Sequence, residues 1–286
     1  MRKYARPHSK KQMGTSLRVN KKLLVTIVAV VAAVLVVIIA VSGIAAQKGF
    51  ESSTLMTSDT IRVGIRTDVE GFGGVDENGN IVGFDREYID AMLKELIGDR
   101  QKIYEYYALS SQDAGGSLKY GTVDVALGLL TSGTDKTKGF PLTEPYYEDN
   151  VVAITTAGSR LEKLSNLEGG TIGILSNAIA SDDLAEYIEE KKMNYNPKDV
   201  LRYTDYESIR MDLDAGRVNA VVMPQAIAKQ FVAEGYRMLA EPLYSVGYSI
   251  MLPIGQEAVV TEMNRVIEAF AKDGTAQALL EKWNVQ

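Results

Sequence analysis

The sequence predicts an α/β protein preceded by one transmembrane helix. Two patterns in the 286-residue chain indicate this class. Residues 23–46 form an uncharged apolar run, and the chain beyond them alternates short β-branched runs with amphipathic helical patterns. Strands that alternate with helices are typical of parallel sheets covered by helices on both faces. Ligands of such sheets bind beyond the carboxyl ends of the strands, where loops lead into helices.

The first part of the chain has the pattern of a signal anchor. Residues 1–22 carry eight basic side chains and no acid, and 24 uncharged residues from Leu23 to Ala46 follow. A helix of that length spans about 36 Å, more than the ~30 Å hydrocarbon core of a bilayer. The basic residues favour a cytoplasmic tail, so everything after Ala46 is expected outside. The predicted topology is a single-pass cell-membrane protein with an extracellular C-terminal domain.

A cleaved signal peptide is the alternative to a retained anchor. Gly43, Ala45 and Ala46 offer small residues for a cleavage site, but the apolar region of a signal peptide usually has only about 7–15 residues. The chain contains no cysteine, which excludes both disulfides and a lipid-modified cysteine anchor. We therefore expect the helix at 23–46 to be the anchor, followed by an irregular tether at 47–59.

Charge and composition exclude several function classes. Without the eight basic residues of the tail, residues 23–286 hold 23 basic against 37 acidic side chains, a formal charge of −14. A domain this acidic is not expected to bind nucleic acid. The single histidine is His8, in the predicted cytoplasmic tail, so no outer histidine can act as a base or metal ligand. No phosphate-binding loop or dinucleotide fingerprint follows a predicted strand, so no cofactor is expected.

The first half of the outer domain opens with a strand, because residues 61–66 alternate and are rich in β-branched side chains. A tight turn at Glu77–Asn80 predicts a hairpin, and Asp85 is expected to cap the helix that follows. The predicted elements are a strand at Ile61–Arg66, two short strands within Val75–Val82, a helix from Asp85 to Ile97, a strand at Ile103–Ala108, a weak helix broken by Gly115-Gly116 and a buried strand at Val123–Leu127.

The second half repeats the alternation of strands and helices. Strands are predicted at Val151–Thr155, Thr171–Leu175, Val200–Tyr203, Asn219–Val222 and Tyr248–Leu252. Helices are predicted at Ser181–Lys192, Tyr206–Ala215, Pro224–Glu234 and Glu257–Ala271, with a short terminal helix ending near Trp283.

Four segments carry a resemblance to a known family. Val63–Leu93 is similar to its opening strand, hairpin and first helix, and Asp124–Tyr147 to a stretch that ends in Pro-Tyr-Tyr. Leu164–Ile174 and Asp273–Trp283 also fit. On these segments, the outer domain resembles the bacterial extracellular solute-binding proteins of the polar amino-acid type, which serve ABC importers.

The resemblance implies a periplasmic-binding-protein-like fold of type II, in which two α/β lobes trap a ligand between them. Mapped onto this chain, the parts are a solute-binding domain at 60–286, lobe 1 at about 60–150 and 247–286, lobe 2 at about 153–243, and crossing segments near Glu148–Val152 and Leu243–Gly247. The implied function is that of a membrane-anchored, non-enzymatic receptor that delivers a small amino-acid-like or anionic ligand to an ABC permease.

The chain departs from the family where ligand charges are held. Family members grip the ligand carboxylate with an arginine, and that position holds Lys136 here. One acid that holds the ligand ammonium becomes Pro224, and the acid of the first loop aligns with Arg66, or with Asp68 if a shift is allowed. A lysine keeps a point charge but loses the planar fork of arginine. We therefore expect a pocket that prefers an anion to a zwitterionic amino acid.

Further positions complete the predicted site. Thr131 keeps a hydroxyl where the family uses one, Asn177 begins the lobe 2 loop, and Phe72 can form a wall of the cleft. The predicted ligand-binding residues are Arg66, Asp68, Phe72, Thr131, Lys136, Asn177 and Gln225. Each of these types also has a structural interpretation: a lysine can be solvated, a threonine or asparagine can cap a turn or helix, and a phenylalanine can belong to the core.

Two other functions remain open on the sequence. One is a sensory or interaction domain with a degenerate cleft. The other is a carboxylate-dependent, dehydratase-like enzyme of the same fold class, which would need neither histidine nor cysteine. Genes for a permease and an ATPase beside this one would favour transport over sensing.

Overall fold

The computed structural model describes residues 21–110, 112–176, 181–194 and 197–285. These residues divide into two compact units, and the boundary between the units follows Ala46.

The first unit is formed by the apolar helix α1 (Lys21–Glu51) up to the boundary. Its stretch Ile27–Glu51 is long and apolar enough to cross a membrane, with a mean hydropathy of 3.2. The apolar side chains from Ile27 to Ile44 are exposed in the structure. A signal sequence near the N terminus would share these properties, so α1 is a candidate span.

The segment predicted as a tether differs in the structure. After α1 ends at Glu51, a one-turn helix α2 (Thr54–Thr57) follows. Phe50, Leu55 and Met56 are buried in the main hydrophobic core of the second unit. Residues 47–59 are too few to display a hydrophobic period, which is why the sequence pattern indicated an irregular segment.

The first sheet of the second unit has three parallel strands, in the order β4-β1-β5. Its elements are β1 (Thr60–Arg66), the antiparallel hairpin β2 (Gly74–Val75) and β3 (Ile81–Val82), α3 (Phe84–Ile97), β4 (Ile103–Leu109), α4 (Ala114–Lys119) and β5 (Val125–Leu127). The predicted strands and hairpin are confirmed. Gly115 and Gly116 lie inside α4 rather than breaking it, so that detail of the prediction is wrong.

The second sheet has the order β10-β6-β9-β7-β8, and β11 also pairs with β6. Its elements are β6 (Tyr147–Thr155), β7 (Ile172–Leu175), α5 (Ser181–Glu190), β8 (Val200–Tyr203), α6 (Tyr206–Asp214), β9 (Ala220–Pro224), α7 (Gln225–Ala233), β10 (Arg237–Met238) and β11 (Tyr244–Tyr248). The strand β7 is parallel to β8 and β9, whereas β6 is antiparallel to its neighbours.

The chain then returns to the first sheet and ends in α8 (Glu257–Asp273) and α9 (Thr275–Trp283). Met251 forms a bridge with Ala126 of β5, and α8 and α9 pack on α3. The strand predicted at Tyr248–Leu252 is therefore wrong, because the ladder of β11 ends at Tyr248. Residues 249–252 are buried, and Met251 pairs with Ala126 and Leu142 through isolated antiparallel bridges, so the segment has the pattern of a strand without an extended ladder.

Two antiparallel strands connect the sheets. β6 pairs with β11 from Tyr147 opposite Tyr248 to Val151 opposite Tyr244, and we call this pairing the hinge ribbon. It overlaps the crossing segments that the resemblance implies, at residues 148–151 and 244–247. Asp149 in the ribbon accepts hydrogen bonds from the hydroxyl of Tyr248 and from the backbone N–H of Ala226 (3.2 Å), so it ties the ribbon to the start of α7.

Asp85 is not the helix cap that the sequence predicts. The cap position is Gly83, and the Asp85 side chain is fully buried in the core. One carboxylate oxygen accepts a hydrogen bond from the Tyr146 hydroxyl (2.6 Å), while Oδ2 has no partner among the described residues. Burial raises the pKa of Asp85 to about 7, although the Tyr146 bond and the charge of Arg66 oppose the rise.

Replacement of Asp85 by Asn should flatten the pH dependence of stability. The folded protein keeps a proton on Asp85 that the unfolded chain releases above about pH 4, so folding becomes less favourable as pH rises to about 7. Asp85→Asn keeps an acceptor for Tyr146 and removes a penalty of up to about 4 kcal/mol above neutral pH, and a smaller penalty of about 1–2 kcal/mol near pH 5.

Urea unfolding of both proteins at about pH 5 and about pH 8 measures this difference. Asp135→Asn, at an exposed position, is the control. If Asp85→Asn raises the free energy of unfolding no more at the higher pH than at the lower pH, Asp85 is not a buried, protonated carboxyl.

Candidate functional site

A small cavity lies at the carboxyl ends of strands from both sheets. Arg66 ends β1, Leu109 ends β4 and Leu127 ends β5, while Leu175 ends β7 of the second sheet. The cavity has a volume of about 10 Å³, room for roughly one water molecule. This is the position at which α/β sheets bind ligands, so the cavity is the candidate site.

The two lobes are in contact around this cavity. Gln112 follows β4 and donates a hydrogen bond from Nε2 to the backbone carbonyl of Thr204 (2.9 Å), which precedes α6. Leu175 of the second sheet forms part of the same wall as Leu129 and Leu130. The structure therefore has a closed cleft.

Arg66 is the central charged group of the cavity. Its side chain is only 6% exposed, and its guanidinium donates to both carboxylate oxygens of Asp68, from Nε at 2.5 Å and from Nη2 at 3.0 Å. The Asp68 side chain is 53% exposed. Burial would raise the pKa of Asp68, but the hydrogen bonds and charge of Arg66 outweigh burial and lower it.

Lys136 brings a second positive charge to the cavity. It lies half-buried in the loop after β5. Burial and the neighbouring charge of Arg66 lower the pKa of Lys136 to about 8, while Asp68 and Asp113 oppose the change. The cavity thus holds more positive charge than its single paired carboxylate neutralises, and an anion would relieve this imbalance.

Tyr206 adds an uncharged polar group from the second lobe. It is the first residue of α6, after the cap Asp205, which accepts from the N–H of Ser208. Its hydroxyl is buried and lies near the Arg66 guanidinium; burial raises the pKa of Tyr206, and the charge and hydrogen bonding of Arg66 oppose the rise. It makes no hydrogen bond of normal geometry to any residue the structure describes. No sequence pattern indicated this position, because a tyrosine at a helix start usually serves packing.

Three predicted site residues, Arg66, Asp68 and Lys136, come together at this cavity. Thr131 is buried at the start of the Lys136 loop, where its backbone carbonyl accepts hydrogen bonds from the hydroxyls of Thr134 (3.3 Å) and Thr137 (2.7 Å). These bonds fix the loop that carries Lys136. Asn177 lies outside the described residues.

Phe72 and Gln225 line a different cavity, of about 870 Å³, which runs along β6, α7 and α9. Phe72 is buried and packs edge-on against Tyr147, with ring centroids 5.0 Å apart. Gln225 accepts a hydrogen bond from Asn150 at 3.3 Å. The structure therefore does not bring these two residues to the charged cavity.

The described residues contain no group of three or more His, Cys, Asp or Glu side chains that could hold a metal ion. The chemistry available at the cavity is that of binding: a buried guanidinium, a half-buried amine and a phenol hydroxyl can donate hydrogen bonds to the oxygens of an anion.

Two α/β lobes joined by a two-strand ribbon, with a polar cavity where the lobes meet, define a type II periplasmic binding protein. The family called bacterial extracellular solute-binding proteins, family 3, matches residues 61–286, and the chain belongs to this family.

Several similar proteins are binding proteins of the same kind, which is consistent with this family. The chain is 23% identical over 235 residues to the ABC transporter glutamine-binding protein GlnH of Bacillus subtilis, covering 81% of this chain and 83% of that protein. It is 23% identical over 247 residues to a putative ABC transporter arginine-binding protein 2 of Escherichia coli, covering 84% and 97%. An ancestral arginine-binding protein bound to arginine superposes with a TM-score of 0.61 at 25% identity, covering 79% and 98%.

Gly128 lets Arg66 occupy its position, so a side chain at residue 128 should disturb the site. Gly128 has φ of 119°, and a Cβ atom there would lie 2.2 Å from the Cβ of Arg66. Gly128→Ala is expected to destabilise the fold by about 2 kcal/mol or more, through backbone strain and overlap.

Gly116→Ala is the control, since a Cβ at residue 116 meets nothing within 4 Å and the position is helical. Urea unfolding should show the control unchanged or slightly stabilised, by up to about 1 kcal/mol. Equal stability of the two variants would show that the backbone at Gly128 relaxes without strain.

Proposed function

We propose that this protein is a membrane-anchored extracytoplasmic receptor that captures a small polar solute for an ABC importer, with a preference for anions over zwitterionic amino acids. The observation that carries the proposal is that two cations, Arg66 and Lys136, line the same closed interlobe cavity. The carboxylate of Asp68 beside them is already bound to Arg66. Family membership supports the transport role, and an ABC permease is the proposed partner.

The class of ligand follows from charge balance. The relatives are named for glutamine and arginine binding, which supports a solute of amino-acid size. An α-ammonium group inside a closed cleft needs an acidic partner, because an unpaired buried charge costs several kcal/mol as an order of magnitude. Here Pro224 ends β9, and Asp68 already binds Arg66. A carboxylate without an α-amino group, such as a keto acid or dicarboxylate, meets no such penalty.

In such a receptor, closure of the two lobes distinguishes the ligand-bound state from the free state. Only a ligand with higher affinity for the closed state shifts the equilibrium toward it. Arg66 and Lys136 belong to the first lobe, and the Tyr206 hydroxyl belongs to the second. An anion that contacts all three groups would therefore link the two lobes, in a cleft opened beyond the cavity of about 10 Å³ in this structure.

A thermal-shift panel tests the ligand class. Full-length protein in detergent would be heated with pyruvate, 2-oxoglutarate and succinate, and separately with glutamine, arginine and histidine. A ligand at about 100 times its dissociation constant stabilises by ~2.7 kcal/mol, which is readily measured. We expect anions to stabilise and Lys136→Ala to weaken their binding by about 10-fold or more, the loss typical of a charged hydrogen bond.

Lys138→Ala, at an exposed position in the same loop, is the matched control and should bind as the wild type does. Anion affinity should also fall as pH rises through about 8, because Lys136 then loses its proton, and this pH dependence should be absent from Lys136→Ala. Stabilisation by the amino acids alone, undiminished in Lys136→Ala, would reject the anion preference.

We also propose that α1 is retained as an anchor. Its long apolar stretch and the basic residues before it support this. Protease treatment of intact cells should release the solute-binding domain, while untreated domain should sediment with membranes. A protein found free in the medium, with an N terminus near Ala46 or Gln47, would show that the segment is a cleaved signal.

A sensory or interaction role is the second candidate. The observation that favours it is the small volume of the cavity, about 10 Å³, in a cleft that is already closed. Failure of every compound in the panel to stabilise the protein, together with the absence of permease genes beside its own, would favour this role. We do not propose an enzyme, because the similar proteins named above are binding proteins.

A further inference from the structure

Asp68 occupies the face of Arg66 that an anionic ligand would use. The Nε and Nη2 atoms form the planar edge of the guanidinium that grips a carboxylate with two parallel bonds. Both atoms already donate to Asp68, which follows two residues later in the chain. The carboxylate of Asp68 is thus bound to the site as a free carboxylate would be.

We propose that Asp68 is an internal competitor, which holds the anion subsite of Arg66 in the empty receptor and is displaced by the carboxylate of the solute. The proposal rests on the proposed function only in assuming that the solute carries an anionic group. It makes Asp68 a residue that sets specificity, rather than the acid that holds a ligand ammonium.

The different exposure of the two partners supports an exchange. Arg66 is 6% exposed, so its charge would be left buried and unpaired if nothing replaced Asp68. Asp68 is 53% exposed, so its carboxylate can leave the guanidinium and be hydrated with little movement. Replacement of one carboxylate by another leaves Arg66 paired in both states.

The surroundings give the solute an advantage over Asp68. The hydroxyl of Tyr206 lies beside Arg66 and makes no hydrogen bond of normal geometry among the residues described, and Lys136 carries a charge that its surroundings disfavour. A free anion can satisfy both groups as well as Arg66. Asp68 is restrained by its short tether, and its bonds in the structure go to Arg66. Only anions that gain these additional contacts would displace it.

Such competition lowers the apparent affinity for every anion. If Asp68 holds the subsite in about 90–99% of empty molecules, the apparent dissociation constant rises by about 10-fold to 100-fold. Weak carboxylates at ambient concentration would then be excluded, and a solute with complementary groups would still bind.

Chemical rescue tests the subsite without knowledge of the natural solute. Asp68→Ala removes the internal carboxylate, and formate or acetate can take its place. In about 50 mM formate the melting temperature of full-length Asp68→Ala in detergent should rise by about 3–5 °C relative to equal chloride, as expected for a millimolar site. The wild-type protein, whose subsite is filled, should show no such rise.

The structure offers a matched control at the other end of β1. Arg62 donates to both carboxylate oxygens of Asp124, from Nε at 3.1 Å and from Nη2 at 2.8 Å, away from the cavity. Asp124→Ala therefore removes a similar ion pair, and formate should not rescue it selectively. Equal effects of formate on the two variants, or no effect on Asp68→Ala, would overturn the proposal.

Asp68→Asn gives a second measure if the alanine variant folds poorly. It keeps the side-chain size, removes the charge and should bind the stabilising anions of the thermal-shift panel about 10-fold more tightly than wild type. Weaker binding by Asp68→Asn would show that Asp68 supports the ligand instead. A wild-type preference for amino acids, combined with formate rescue of Asp68→Ala, would reject the proposed function and leave the internal competitor intact.

Discussion

The antiparallel pairing of β6 with β11 is the interaction on which the solute-binding domain depends. β6 carries the chain from the first sheet into the second, and the chain returns through β11. Arg66 and Leu175 reach the cavity from different sheets, so the size of the cavity depends on the angle between the lobes at this ribbon. Asp149 restrains that angle locally, because its carboxylate binds Tyr248 and the first turn of α7.

The regular part of the fold could be predicted because its signals are local. β1 and β7 are short apolar runs bounded by polar residues, and α8 has a clear helical period. The predictions were wrong where the structure of a segment depends on residues that are distant in sequence. The chain after Tyr248 has the pattern of a strand but pairs through isolated bridges, and Asp85 looks like a cap because its distant hydrogen-bond partner, Tyr146, cannot be seen in the local pattern.

The candidate site was predictable only in part for a related reason. The resemblance located Arg66 and Lys136 as charged positions, because the first strand and the Pro145 segment align them with the binding positions of the family. It could not reveal that Asp68 turns back onto Arg66, or that Tyr206 approaches from the other lobe. The acidic surface implied by a charge of −14 would repel an anion at long range. Binding must then come from short contacts in the cavity, where water is excluded and hydrogen bonds to charged groups are strong.

The hinge ribbon also has a consequence for the order in which the domain assembles. The first lobe is discontinuous: α3 packs against α8 and α9, and the ring of Tyr88 meets that of Phe270 with centroids 5.6 Å apart. During synthesis and export, the apolar face of α3 therefore stays uncovered until residues about 180 positions later emerge. The second lobe is nearly continuous in sequence and has most of its partners earlier. Long-range contacts form slowly and leave surfaces open to aggregation, so the lobe that begins first is the last to be completed.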